Sequence, residues 1–268
     1  MARTMTTAVG TGAALVALAA MAAPLAAQDA VTEWSGEMAA GRTLRVQGIS
    51  GEIVATAAAG SRAEVVATKR GDEDDFDAVH VVVEEEGDGI RVCAVYRVRD
   101  PERCDYDDDD RDDRWRHRNI DVSVDFEVRV PAGVDFEGTV VSGEVRARDL
   151  RSDVRARSVS GDIFVSTTGV GWGKTVSGDI EIAMGSTDFG DLDFTTVSGD
   201  IVLTLPAGVA ADVAFQSLSG DFESDLPLEV TSQRGGFVGS RLEGRLGSGG
   251  PRLAFKTVSG DVRLRQAR

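Results

Sequence analysis

At 268 residues, with 45 Asp and Glu against 29 Lys and Arg, the chain carries a formal net charge of −16. A polymer this acidic repels nucleic acid and anionic lipid headgroups and attracts cations, so nucleic acid is not an expected partner. Two histidines and two cysteines offer no zinc-ligand spacing, and no phosphate-binding glycine loop or nucleotide fingerprint is present.

The chain opens with a leader. Arg3 precedes an uncharged apolar run from Ala8 to Ala23, and Pro24 with the pair Ala26-Ala27 follows. This is the order of a secretory signal peptide, with cleavage expected after Ala27. The run is shorter than the roughly 20 residues of a membrane span. No later segment is apolar enough to cross a bilayer as a helix. Residues 1–27 are therefore read as a signal peptide, and the mature chain as exported: periplasmic, outer-surface or secreted.

Residues 28–125 read as an N-terminal β region. Leu44–Val46, Glu52–Val54, Ala63–Val66, Val79–Val83, Ile90–Val92 and Ile120–Val124 are short runs rich in Val and Ile, and Gly87-Asp88-Gly89 between two of them is a hairpin turn. Cys93 and Cys104 fit one disulfide in an oxidising compartment, closing a short loop. A catalytic thiol is not favoured, since only His80 and His117 could serve it as a base.

The acidic insertion 100–118 interrupts this region with nine acids and five bases. Such a block reads as a solvated loop. Calcium binding through Asp105, Asp107 and Asp109 is the functional alternative, although the EF-hand order of ligands is missing. Calcium is the one cofactor the sequence leaves open.

Residues 126–268 repeat. Val159-Ser-Gly-Asp-Ile163 recurs at 176–180 and 197–201, with variants at 49–53, 141–145, 218–222 and 258–262. The glycines are Gly51, Gly143, Gly161, Gly178, Gly199, Gly220 and Gly260. From Gly143 onward they are spaced by 18, 17, 21, 21 and 40 residues, the last step reading as two periods with a worn copy at Leu242–Leu246. A period near twenty marks a stacked array, whereas propeller blades repeat at about 40–45 residues. Strand-like runs end in matched Pro-Ala-Gly turns at 131–133 and 206–208, and no sustained 3.6-residue apolar pattern follows the leader. The expected fold is all-β: a single-stranded β-solenoid, or β-helix, of ~20-residue repeats. The N-terminal strands form a degenerate continuation, so that 28–125 and 126–268 make one domain. A propeller and a β-sandwich are the alternatives.

Within the motif, strand alternation puts the first and fifth residues on the core side and Ser and Asp outside. Gly marks a recurrent bend. In register, Asp162, Asp179, Asp200, Asp221 and Asp261 form a ladder about 4.8 Å apart, with Glu144 near one end. Its repulsion needs an offset, either hydrogen bonds from turn amides and neighbouring Ser or a bound cation.

The recurring Ser-Gly-Asp-Ile copies, the Pro-Ala-Gly turns, the leader and the all-β pattern resemble the bacterial domain-of-unknown-function family labelled "putative adhesin". The resemblance covers most of 42–265 and is strongest over 126–265. It implies an exported β-solenoid and supplies no catalytic residues. The expected role is a non-enzymatic cell-envelope or surface protein, an adhesin or scaffold binding an extended partner such as polysaccharide or protein. A calcium-stabilised structural protein and a β-helical polysaccharide-active enzyme are the alternatives. The enzyme is disfavoured because repeated residues point to architecture, whereas an active site is a single constellation.

Overall fold

The computed structural model describes residues 30–96, 103–104, 120–235 and 239–267. The leader and Asp105, Asp107 and Asp109 lie outside the described residues. In chain order the first strands are β1 (Val31–Glu37), β2 (Thr43–Ser50), β3 (Ile53–Ala57), β4 (Arg62–Gly71), β5 (Val79–Glu86) and β6 (Gly89–Tyr96). A 3-10 helix, Glu73–Ala78, joins β4 to β5. Then follow β7 (Val122–Val130), β8 (Asp135–Ser142), β9 (Val145–Leu150), β10 (Val154–Ser160), β11 (Ile163–Thr167), β12 (Gly171–Lys174), β13 (Ile180–Met184), β14 (Leu192–Thr195) and β15 (Ile201–Leu205). The last are β16 (Ala211–Ser217), β17 (Phe222–Ser224), β18 (Leu228–Gly235), β19 (Ser240–Leu246), β20 (Arg252–Lys256) and β21 (Val262–Gln266).

These strands make two sheets, one of 10 and one of 11 strands. Each repeat places one strand in each sheet and bends between them at its Gly. Successive repeats add in parallel, as β8 on β10 and β9 on β11 do. The fold is an all-β solenoid. Strands of both halves share the sheets: β2 pairs with β6 and β8, and β3 with β7 and β9.

The inward residues of the two sheets meet in a continuous core. Ile53, Val145, Ile163, Ile180, Ile201 and Val262 stack along one wall, fully or almost fully buried. Phe194 and Phe255 lie parallel on the other, ring centroids 5.3 Å apart. Where large side chains arrive from one sheet, the other supplies glycine: Gly173 faces Ile163, Ile180 and Ile182.

Spatial order departs from chain order. Paired strands stack as the rungs β6/β7, β2/β3, β8/β9, β10/β11, β12/β13, β14/β15, β20/β21 and β16/β17. The copy holding Gly260 thus sits between those of Gly199 and Gly220, and it touches both. The worn copy at Leu242–Leu246 is no rung. It lies in β19, antiparallel to β16, and with β18 it covers the end of the 11-stranded sheet. At the other end β5 pairs antiparallel with β6 through the expected hairpin, and β4 and then β1 pair antiparallel beyond β7. A parallel rung at an end leaves open sheet edges, which invite pairing with other chains; antiparallel strands cover three of the four, and β17 remains the edge of the 10-stranded sheet.

The disulfide joins Cys93 and Cys104, with Cα atoms 5.8 Å apart. It packs with Val82 and Val95 as a small cluster beside the main core. Replacing both cysteines by serine should lower unfolding free energy by about 3 kcal/mol at most, from the loop closed, measured by denaturant titration.

At Gly178 a Cβ would land on the Gly161 carbonyl oxygen, at φ +142°. Gly178→Ala should therefore cost at least about 1–3 kcal/mol in strain. Gly60→Ala, in open space, should leave thermal unfolding nearly unchanged.

Candidate functional site: the Val-Ser-Gly-Asp edge

The motif copies line one long edge of the solenoid, in the stack order Gly51, Gly143, Gly161, Gly178, Gly199, Gly260, Gly220. All have φ between +118° and +157°, a region that side chains with a Cβ rarely enter. The Ser residues bridge in parallel from coil to coil, Ser160 to Ser177, then Ser198, Ser259 and Ser219.

The aspartates form a chain of hydrogen bonds. Asp162 Oδ1 accepts from the Asp179 amide at 2.8 Å, Asp179 from Asp200 at 2.8 Å, Asp200 from Asp261 at 2.8 Å and Asp261 from Asp221 at 2.9 Å. Asp125, in β7, does the same for the Glu52 amide at 3.0 Å. The carboxylates of Asp162, Asp179, Asp200 and Asp261 thus each have a fixed amide donor to offset a neighbour's charge, and Asp221 ends the chain. Glu144 instead pairs with Arg146. Among the described residues no group of three or more His, Cys, Asp or Glu could hold a metal ion.

One expectation is overturned. The fifth motif residue is buried in every copy except that of Phe222, which is partly buried, but the first is not. Val141, Val159, Val176, Val197, Val258 and Leu218 are each 44–54% exposed. Alternation in the preceding strand already places the residue before them inside: Ser158, Thr175, Thr196, Ser217 and Thr257 are buried. The Gly bend then restarts the count, so the first and fifth residues belong to different sheets and opposite sides. A buried hydroxyl is tolerated here because it has a partner. Ser158, Thr175 and Thr196 donate to the carbonyls of Gly143, Gly161 and Gly178 at 3.0–3.2 Å. Ser217 and Thr257, in the interleaved final rungs, have none in the structure.

The edge therefore presents an aliphatic stripe that crosses the coils, with the aspartate chain on the far side of the bend. Six of the nine large apolar residues exposed among the described residues lie on it. Contiguous exposed apolar surface on this scale marks interaction sites more often than solitary exposed residues do. The Thr or Ser that precedes five of the six stripe residues was the available signal for the stripe, since it occupies the inward position.

A family model, Toastrack DUF4097, matches residues 132–265, which span the motif copies from Gly143 to Gly260. The chain belongs to this family. The Toastrack match begins just before β8, yet β2, β3, β6 and β7 build rungs of the same stack. Similar solved structures include a "putative cell adhesion protein" from Clostridium sporogenes, 7% identical, covering 88% of this chain and 100% of that one at a TM-score of 0.43. A "putative adhesin" from Bacteroides fragilis is 11% identical, covering 87% of this chain and 96% of that one at a TM-score of 0.37. No curated protein matches the chain.

Charge on the outer face of the 11-stranded sheet is organised in pairs. Arg45 bridges three strands and a turn, reaching Glu86 at 2.9 Å, Asp88 at 2.8 Å and Glu137 at 3.2 Å. The Arg45 hydrogen bond holds the Asp88 carboxyl below its usual range, and Arg45 itself is held more firmly protonated. Burial raises the Asp193 pKa, but hydrogen bonds from Lys174 and Thr195 outweigh it, and the net shift is downward. Burial dominates at Asp135 and pushes that carboxyl up.

A carboxyl lowered in the folded state stabilises above its unfolded value of 3.8 and loses that contribution as pH falls through its folded value. Asp193→Asn should therefore destabilise at pH 7 by about 0.5 kcal/mol, the size of a partly exposed pair. The difference from wild type should vanish in strong acid. Asp135→Asn should behave oppositely, neutral or slightly stabilising at pH 7. Denaturant titrations across pH 2–7 check both signs.

Proposed function

We propose that this Toastrack protein is a non-enzymatic, exported cell-envelope protein of adhesin or scaffold type, which holds an extended partner along its Val-Ser-Gly-Asp edge. The observation that carries this reading is the aliphatic stripe. It repeats one chemistry at six successive rungs and stays exposed, where a purely structural repeat would need only the Gly, the Asp and the inward Ile. A rigid array of identical side chains suits a partner that is itself long and repetitive.

Other features agree. The leader sequence and the Cys93–Cys104 disulfide fit an oxidising compartment outside the cytoplasm. Among the described residues no helix is long and apolar enough to cross a membrane. Enzymatic chemistry finds little support along the edge. Asp162, Asp179, Asp200 and Asp261 each commit one oxygen to a neighbouring amide, and His80 lies in β5, at the capped end of the stack. A calcium requirement finds no support in the aspartate chain, whose charge is already met by amides.

Val159→Ser/Val176→Ser/Val197→Ser should melt within a few degrees of wild type, since these side chains are about half exposed. On an array of polysaccharides and extended polypeptides it should lose at least tenfold in affinity for whatever wild type retains. Unchanged retention by this variant, or turnover of an arrayed glycan by wild type, would sink the reading.

A further inference from the structure

The stripe has a neighbour of opposite character. Two residues before each stripe member, on the same outward face, β10, β12, β14, β20 and β16 carry Arg157, Lys174, Thr195, Lys256 and Gln216. Register aligns them side by side: Arg157 with Lys174, Lys174 with Thr195, Thr195 with Lys256, and Lys256 with Gln216. The capping strands continue the row, with Arg241 opposite Gln216 and Arg234 opposite Arg241. Seven adjacent strands thus supply five cations and no carboxylate, in a chain of 45 acidic residues. At ordinary strand spacing the row is about 29 Å long.

These cations are not consumed by the fold. Among the described residues no carboxylate lies within ion-pair distance of Arg157, Arg234 or Arg241. The Arg157 guanidinium stands over the Trp172 ring, 4.7 Å from its centroid, and Lys174 approaches the same ring at 5.3 Å. Asp193, one row further from the stripe, is shared between Lys174 at 2.9 Å and Lys256 at 4.0 Å. Two lysines on one carboxylate leave net positive charge.

We propose that stripe and row form one track that binds an acidic polysaccharide, a polymer of uronate-type sugars lying across the coils. The proposal rests on the extended-partner reading above and names its chemistry. Sugar rings offer C–H faces that pack on the Val stripe and on Trp172, while their carboxylates reach the cationic row. An extended polypeptide fits less well. The track runs across strands whose amides and carbonyls already bond sideways to neighbouring strands, so a peptide laid along it would find no backbone partners for its own. A polyuronate has no backbone amides to satisfy.

The test uses the full-length mature protein and polygalacturonate, with methyl-esterified polygalacturonate and poly-L-glutamate as comparisons, by calorimetry at two salt concentrations. Polygalacturonate should bind at least tenfold more tightly than either comparison, and more weakly at higher salt. Arg157→Gln/Arg241→Gln/Lys256→Gln should lose at least tenfold. Arg148→Gln/Arg263→Gln/Arg265→Gln, which removes the same charge from the other sheet, should bind like wild type. Absence of binding, equal binding of poly-L-glutamate, or indifference to the first triple variant would overturn the proposal. Loss of some other arrayed ligand in the stripe variant would still uphold the extended-partner reading, so the two failures are separable.

Discussion

Each coil is set on the next through the close approach of one glycine to the carbonyl oxygen of the glycine beside it. A Cβ at Gly143, Gly161, Gly178, Gly199, Gly260 or Gly220 would occupy the place of that oxygen. The approach fixes the height of one bend over another, and the rest of the edge follows from it. Hydroxyls of Ser158, Thr175 and Thr196 reach the glycine carbonyls, and Asp162, Asp179, Asp200 and Asp261 each accept from the next aspartate's amide. With the bends in register, the strands leaving them pair in parallel and their inward Ile and Val side chains close a single core.

Much of this was legible from the residues. Seven Gly-Asp or Gly-Glu steps announced a stack, the fifth motif residue was rightly placed inside, and the two cysteines are bonded. The first motif residue was misplaced because period-two alternation was carried straight through a bend that interrupts it. Apolar character also misled: Val176 looks like core and Thr175 like surface, yet the threonine hides its hydroxyl on a carbonyl and the valine faces outward. Stacking order was not legible at all. The copies are nearly identical, so the motif alone does not say whether Gly260 or Gly220 stacks on Gly199. Nor does a net charge of −16 betray a cationic row, since Arg157, Lys174, Lys256, Arg241 and Arg234 are scattered between positions 157 and 256 and meet only through strand register.

The bend separates two chemistries by a few residues. On one side, acidic groups are tied down by amides and serve the architecture. On the other, aliphatic and basic side chains recur facing outward, the lysines sharing the single carboxylate of Asp193. Division of labour of this kind lets the backbone of the repeat stay constant while the outward residues of the 11-stranded sheet vary, as Trp172, Asp193 and Ala254 do in one row.

The interleaved placement of β20/β21 has a consequence for how the molecule is made. In an ordinary solenoid each new turn settles on the one before, and growth can stop anywhere. Here β20/β21, later in sequence than β16/β17, lies between that rung and β14/β15, with Gly260 wedged between Gly199 and Gly220. Zippering from one end therefore cannot finish the structure, and the final segment acts as a keystone.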